Sequence, residues 1–223
     1  MQRVPLTTGE YYHITNRGVN RSEIFHNAFD FLRFYQSLFL FNDAKFSVTG
    51  DPVDKFVRLA VPEMYDFDQD PFVSVLAFII MPNHFHLYVR QEMDNGIERF
   101  LHKISLGYAK YHNLKYKRTG PLYEGRYKAF HVDNEAHYIH VPRYIHLNGL
   151  DGTGIQWRDG LVTDWEDALR QLDNYRWSSH HVYMGRKQEI AVVDEDFVLE
   201  LFSSPEEYVE FLKSWTGRYV LDL

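Results

Sequence analysis

A chain of 223 residues, 45% of them hydrophobic, is long enough to bury a core and falls in the size range of one domain with an appendage. It contains no cysteine, which excludes disulfides, thiolate metal sites and cysteine nucleophiles, so a metal would be held by imidazole, carboxylate, amide or water. No run is as long and apolar as a membrane span, and the first residues lack the layout of a signal peptide, so a soluble, cytoplasmic protein with no membrane partner is expected.

The charge of the chain is unevenly distributed. A formal net charge of −7 argues against nucleic acid as a partner. However, residues 99–128 hold eight basic side chains and one acidic side chain, whereas residues 151–223 hold fifteen acidic and seven basic ones. Such asymmetry is typical of a nucleic-acid footprint confined to one face, although a solvated helix surface is an alternative on charge alone.

The first elements are a strand and a helix. Residues 9–17 are rich in aromatic and β-branched side chains and predict a strand. Residues 29–41 have helical apolar spacing, and Asn27 is a plausible cap for that helix. Residues 57–61 form a short apolar run that favours another strand.

A hairpin is predicted next. Residues 73–80 are apolar and rich in β-branched side chains, and residues 84–91 alternate in the manner of a strand. Pro82 and Asn83 between them supply turn chemistry. The two runs therefore predict an antiparallel hairpin.

The remaining elements complete an α+β pattern. An apolar stripe predicts a helix from residue 97 to about Tyr116, and residues 126–132 indicate a strand. A further helix opens at Asn134. This order predicts a ferredoxin-like antiparallel sheet with helices on one face. We place the catalytic domain at residues 1–150 and an acidic C-terminal extension of loop and short helices, near residues 165–172 and 205–216, at residues 151–223.

Two histidines with strand spacing are the sharpest local feature. In a strand, His84 and His86 project from the same face, about 7 Å apart at the backbone, while Phe85 points into the core. They can therefore converge on one metal ion. Two partly exposed strand residues are the alternative interpretation.

Tyr144 and Asn148 share a helix face, because positions i and i+4 project together. An amide oxygen could then join a metal shell beside a phenol. Taken alone, a tyrosine on a helix is more often a packing or surface residue.

Several ordered motifs resemble those of the single-tyrosine transposases of insertion sequences, and most closely the REP-associated tyrosine transposases. The motifs are residues 81–87 (MPNHFHL), 108–113 (YAKYHN), 118–120 (RTG), 122–128 (LYEGRYK), 143–148 (RYIHLN) and 175–179 (YRWSS). The resemblance covers about residues 9–179.

The resemblance implies a role for each matching residue. His84 and His86 match the metal-binding HUH pair, Tyr144 matches the nucleophile, and Asn148 falls where the insertion-sequence enzymes place a metal-assisting glutamine. Two departures stand out. Pro142 precedes Tyr144 where an uninterrupted helix is usual, and the first turn of that helix would tolerate it. No acidic third ligand is evident, so Asn83 or a more distant carboxylate would serve.

The implied activity is cleavage and rejoining of single-stranded DNA at or near hairpins, through a 5′-phosphotyrosine. Imidazole ligands alone would suit zinc, but the resemblance implies Mg²⁺ or Mn²⁺. The expected partner is single-stranded or hairpin DNA, and a monomer or a homodimer is expected. The predicted DNA contacts lie in the basic run: Lys103, Lys110, Lys115, Arg118, Tyr123, Arg126 and Lys128.

Two other functions fit part of this pattern. One is a module that binds hairpin DNA or structured RNA without cutting it, and such a module would not depend on Tyr144 or on a metal. The other is a metal-dependent hydrolase that activates water and forms no covalent adduct.

Overall fold

The computed structural model describes residues 5–45 and 69–217 of the chain. In this part of the chain the strands are β1 (Tyr11–Arg17), β2 (Val73–Met81), β3 (His84–Gln91) and β4 (Lys128–His131). The α-helices are α1 (Ala28–Leu40), α2 (Gly96–Lys115), α3 (Glu135–Leu147), α4 (Trp165–Asn174), α5 (His180–Tyr183), α6 (Glu195–Leu201) and α7 (Pro205–Lys213). The strand predicted for residues 57–61 lies outside the described residues.

The four strands form one antiparallel sheet in the order β2-β3-β1-β4. Helix α1 connects β1 to β2, and helix α2 connects β3 to β4. This is the ferredoxin-like topology, so the predicted α+β class is confirmed.

The central hairpin forms at the predicted turn. Strands β2 and β3 are joined by Pro82 and Asn83, and Met81 pairs with His84 across the turn. The short connection fixes the register of β3, so the side chains of His84 and His86 share a face as predicted.

Helices cover both faces of the sheet. Phe85 on β3 contacts Phe34 of α1, with ring centroids 5.0 Å apart, and Phe34 contacts Tyr108 of α2. His86, the next residue on β3, projects from the opposite face and contacts Tyr144 of α3. The sequence placed the helices on one face, but α3 lies on the other. The reason is that β3 buries side chains on both of its sides, so both faces need a cover.

Helix α3 begins at Glu135, so Pro142 does not lie in its first turn, where proline would be tolerated. The side chain of Asn134 caps the helix by accepting a hydrogen bond from the backbone N–H of His137 (2.8 Å). Pro142 is therefore buried in the helix interior and not in the first turn. Since proline has no N–H, the carbonyl of Tyr138 receives no helical hydrogen bond from it.

The segment after α3 packs onto the outer edge of β2. The backbone N–H of Ile80 donates to the carbonyl of Trp177, and the N–H of Ser179 donates to the carbonyl of Phe78, both at 2.9 Å. Tyr208 of α7 is fully buried in the same hydrophobic core as the sheet. The C-terminal segment therefore continues the core, and a division of the chain at residue 150 stays a prediction.

The helices of the C-terminal segment include the two that were predicted, as α4 and α7. Helices α5 and α6 were not predicted, because they are too short to show an apolar period. Among the described residues, no helix has the length and apolar character needed to cross a membrane.

Candidate active site

The side chains of His84 and His86 line one cleft on the face of the sheet that α3 covers. Their ring centroids are 5.0 Å apart. Thr15 of β1 pairs with His86 on one side and with Lys128 of β4 on the other, so these three side chains also share a face. The cleft is open and has a volume of about 430 Å³. It is lined by Thr15, Asn16, Arg17, His84, His86, Glu124, Gly125, Arg126, Lys128, Tyr144, Asn148 and Arg158.

His86 is supported from behind by a second buried histidine. Nε2 of His13 on β1 lies 2.9 Å from Nδ1 of His86, and both rings are almost fully buried. Because Nδ1 of His86 is engaged in this contact, its Nε2 is the nitrogen left for a ligand. Sequence reasoning missed His13, because the pairing of β1 with β3 is not visible in the sequence.

His84 has its own support. Its Nδ1 lies 2.5 Å from Oδ1 of Asn83, and the side-chain amide of Asn83 donates to the carbonyl of Arg21 (3.0 Å). Asn83 was one of two alternatives for a third metal ligand. Its oxygen instead accepts a hydrogen bond from His84, so Asn83 orients the imidazole.

Both histidines of the pair are neutral near pH 7. Burial lowers the pKa of His84 to about 4. Burial also holds the pKa of His86 well below its ordinary value, and the neighbouring His13 and His84 lower it further. A neutral imidazole is the form that binds a metal ion.

The donor atoms of the cleft fit a metal site with two protein ligands. Within residues 5–45 and 69–217, no group of three or more His, Cys, Asp or Glu side chains is arranged to hold a metal ion. Asp151 influences His84, but its two oxygens accept hydrogen bonds from Nε1 of Trp157 (2.8 Å) and from Arg158 (2.7 Å). The two imidazoles would therefore share an ion with water and phosphate oxygens, and these oxygens are the ligands that Mg²⁺ and Mn²⁺ prefer.

Tyr144 lies over the same part of the sheet. Its ring meets those of His13 and His86 edge-on, with centroids 6.0 and 5.9 Å apart. Trp157 also packs against Tyr144, with centroids 5.9 Å apart. One chain thus brings the predicted nucleophile and the predicted metal ligands together in one cleft.

Asn148 ends α3 one turn after Tyr144, as predicted, but its side chain is fully engaged within the protein. Its Nδ2 donates to the carbonyl of Tyr144 (2.6 Å), and its Oδ1 accepts a hydrogen bond from Nη2 of Arg158 (2.9 Å). Asn148 is buried, so an approach of its amide oxygen to a metal would require Arg158 to release it.

Arg158 is a cleft residue that the sequence did not reveal. Nη2 of Arg158 lies 2.7 Å from Oδ2 of Asp151, and Arg158 lines the cleft together with Tyr144. Arg158 belongs to the C-terminal segment, whose net negative charge gave no indication of a functional cation. A lone arginine in a loop carries no pattern from which this position could be predicted.

Two of the predicted DNA contacts, Arg126 and Lys128, line the cleft. The side chain of Arg126 is 62% exposed, and its guanidinium lies 3.3 Å from Glu98. Arg17 also lines the cleft, where it forms an ion pair with Glu124. The cleft is therefore rich in cations near the candidate chemistry.

Four further predicted contacts lie on or just after α2: Lys103, Lys110, Lys115 and Arg118. None of the four lines the cleft, because α2 covers the opposite face of the sheet. Nζ of Lys103 donates to the carbonyl of Asp43 (2.8 Å). Nζ of Lys115 lies 2.6 Å from Oδ1 of the buried Asp30, which compensates its charge. The structure therefore does not join these side chains to the cleft.

Tyr123 is also placed away from the cleft lining. Its ring meets Phe85 edge-on with centroids 6.3 Å apart, on the α1 and α2 side of the sheet. Its hydroxyl is buried and has no hydrogen-bond partner among the described residues. Burial raises the pKa of Tyr123 above the ordinary value for a phenol.

The ferredoxin-like sheet thus carries two same-face histidines on the central strand β3, beneath Tyr144 of α3. The comparisons with known proteins agree with the resemblance that the sequence motifs indicated. Residues 64–148 match the family described as transposase IS200 like, a range that contains His84, His86 and Tyr144. The resemblance to the single-tyrosine transposases is thereby confirmed, and so is the predicted enzyme class, a tyrosine transposase.

A solved structure shares the fold. It is described as a REP-associated tyrosine transposase bound to a REP hairpin, and it aligns with a TM-score of 0.52 and 14% sequence identity. The alignment covers 85% of this chain and 88% of that chain. No curated protein sequence matches significantly.

Proposed function

We propose that this protein cleaves and rejoins single-stranded DNA at or near hairpins through a covalent 5′-phosphotyrosine on Tyr144. The observation that carries this proposal is the meeting of Tyr144 with His84 and His86 in one open cleft, since these residues come from separate elements. An activated nucleophile and a phosphate-binding site must lie side by side for transesterification.

The bonds that change define the reaction. The phenolic oxygen of Tyr144 attacks the phosphorus, and the bond from phosphorus to the 3′-oxygen breaks. The phenolic proton ends on that 3′-oxygen, which leaves a free 3′-hydroxyl. The reverse reaction, in which a 3′-hydroxyl attacks the phosphotyrosine, rejoins a strand. No hydrolysis is needed in either direction, so cutting and joining require no other co-reactant.

His84 and His86 would hold a divalent cation, Mg²⁺ or Mn²⁺, which supplies Lewis-acid polarisation of a phosphate oxygen when bound. The contact between His13 and His86 and the contact between Asn83 and His84 hold both rings in the orientation that a shared ligand needs. Both imidazoles are neutral near pH 7, which favours this role.

The cationic side chains of the cleft would hold the DNA backbone. Arg126 and Lys128 stand beside the two histidines, so a phosphate placed at the histidines would have its neighbours within their reach. A REP hairpin is the DNA named for the structurally similar transposase, and a REP-like hairpin with an unpaired flank is the substrate we propose here. Because one chain supplies every residue of the cleft, a monomer would suffice for cutting.

The proposal can be tested by trapping the intermediate. The protein would be incubated with a pool of hairpin-bearing single strands, their unpaired flanks randomised, in Mn²⁺ or in a chelator. We expect an adduct that survives denaturation, requires the metal and is absent from Tyr144→Phe. Binding without an adduct under every condition would favour the non-cutting hairpin DNA or structured RNA binding module. Multiple turnover without an adduct would favour the hydrolase.

A further inference from the structure

Arg158 is held in the cleft beside the candidate nucleophile by three neighbours. Its Nη2 hydrogen-bonds Oδ1 of Asn148 (2.9 Å) and Oδ2 of Asp151 (2.7 Å). Its guanidinium stacks on Trp157, 4.3 Å from the ring centroid. The same Trp157 ring meets the ring of Tyr144, with centroids 5.9 Å apart, so Arg158 and Tyr144 lie side by side in the lining of one cleft.

The neighbours of Arg158 are themselves fixed. Trp157 is 2% exposed, and its Nε1 donates to Oδ1 of Asp151 (2.8 Å). Asn148 is anchored by its bond to the carbonyl of Tyr144. The guanidinium is therefore preorganised, while its side chain remains 51% exposed and open to the cleft. A donor that is fixed before the reaction begins stabilises developing charge without a reorganisation cost.

We propose that Arg158 is a catalytic residue that stabilises negative charge on the phenolic oxygen of Tyr144. The inference rests on the proposed function. As the Tyr144 oxygen attacks phosphorus, its proton passes to the departing 3′-oxygen, and the guanidinium, which keeps all its protons, balances the negative charge that develops on the Tyr144 oxygen. In the rejoining direction the same oxygen leaves phosphorus as phenolate, and Arg158 stabilises it again. Arg158 thus acts in both directions without being consumed.

This assignment also gives Asn148 a function. Instead of turning its oxygen toward a metal ion, Asn148 links the end of α3 to Arg158 and so holds the cation one turn from the nucleophile. In this account Asn148 is a positioning residue, and the C-terminal segment completes the catalytic cleft.

The first experiment measures the chemical step. Single-turnover formation of the covalent adduct would be compared in wild type, Arg158→Ala, Arg158→Lys and Arg170→Ala. Arg170 is a matched control, since it belongs to the same segment, is 64% exposed and pairs with Asp167 three residues before it. We expect Arg158→Ala to slow adduct formation about 100-fold, as for loss of one preorganised donor, and Arg158→Lys to retain part of the rate. DNA affinity measured in chelator should fall far less than the rate.

The second experiment separates catalysis from a structural role. Guanidinium ion at millimolar concentration should restore adduct formation in Arg158→Ala, because a free cation can occupy the vacated place. It should not change Arg170→Ala and should not produce an adduct in Tyr144→Phe. An Arg158→Ala variant with a near wild-type rate, a loss confined to DNA affinity, or a slow variant that guanidinium does not restore would each overturn the inference. A wild-type protein that forms no adduct would instead overturn the proposed function.

Discussion

Nε2 of His13 lies 2.9 Å from Nδ1 of His86, so a buried histidine of β1 determines which nitrogen of His86 faces the cleft. Only one proton can occupy this contact. For Nε2 of His86 to bind a cation, Nδ1 of His86 must carry the ring proton. Nδ1 then donates the hydrogen bond, and Nε2 of His13 accepts it. Burial lowers the pKa of His13 to about 3, so it remains a neutral acceptor.

Replacing His13 should therefore weaken metal binding although His13 lies outside the cleft. In His13→Leu the Nδ1–H of His86 loses its acceptor, and we expect affinity for Mn²⁺ to fall about 10- to 100-fold. Calorimetric titration of the DNA-free protein with Mn²⁺ measures this. His131→Gln on β4 is the control, because His131 contacts Glu10 at the surface and not the cleft. Equal affinity in His13→Leu and wild type would contradict the supporting role.

The cations of the cleft should contribute more to DNA binding than those of α2. We expect Arg126→Gln with Lys128→Gln to reduce affinity for a single-stranded oligonucleotide and to lower its salt slope by about 0.7 for each phosphate that the variant no longer binds. Lys103→Gln with Lys110→Gln, two residues of the helix on the opposite face, should leave the slope near wild type. Fluorescence anisotropy over a range of salt concentrations tests both pairs. If the α2 variant instead lost more affinity and more of its salt slope than the cleft variant, the DNA-binding surface would lie on α2.

A buried hydrogen-bonded chain joins α3 to the C-terminal helices. The hydroxyl of Tyr208 lies 2.8 Å from Nδ1 of His146 and 2.8 Å from Nδ1 of His180. Because the hydroxyl has a single proton, it donates to one imidazole and accepts from the other. All three side chains are almost completely buried, so water cannot replace a missing partner.

Tyr208→Phe should accordingly destabilise the protein by about 1–3 kcal/mol, since it leaves buried polar atoms unpaired while preserving volume. Urea denaturation of the variant gives the free energy of unfolding. Tyr138→Phe serves for comparison, because the hydroxyl of Tyr138 lies 3.4 Å from Glu200 in an exposed contact. If both variants were destabilised by the same small amount, the buried chain would not stabilise the fold.

Stability should fall as the pH drops below the ordinary pKa of histidine. Burial lowers the pKa of His180 from 6.5 to about 4 and holds that of His146 well below 6.5, so both bind protons more readily when unfolded. The contribution of the two neutral histidines to the free energy of unfolding is complete above about pH 6.5. It is lost as the pH falls toward 4, by up to about 1.4 kcal/mol per pH unit for each histidine. Urea denaturation between pH 7.5 and 5 tests the slope, and a flat profile would contradict it.

The sequence predicted best what depends on local period and turn chemistry. The Pro82-Asn83 turn and the alternation of His84 and His86 are set within a few residues, so the hairpin and the shared face of the pair were both predicted. The i and i+4 spacing likewise places Tyr144 and Asn148 one turn apart, since it depends only on the helix.

Contacts between distant segments could not be predicted in this way. The register of β1 against β3 brings His13 to His86, and packing of the C-terminal loop brings Arg158 to Asn148; neither leaves a periodic signal. The charge count located a basic helix but did not show which face of the sheet the helix covers. Lys115 was therefore predicted to contact DNA, although in the structure it pairs with Asp30. The position of Tyr144 above the histidines followed only from the family resemblance.

The polarity and position of the covalent bond test the central claim most directly. A hairpin-bearing strand would be labelled at its 5′ or its 3′ end, incubated with the protein and Mn²⁺, and separated under denaturing conditions before peptide mapping by mass spectrometry. We predict that only the 3′ label remains with the protein, that the released 5′ fragment ends in a hydroxyl, and that the DNA is attached to Tyr144. Attachment to another side chain, such as Tyr138, or retention of the 5′ label would contradict the account.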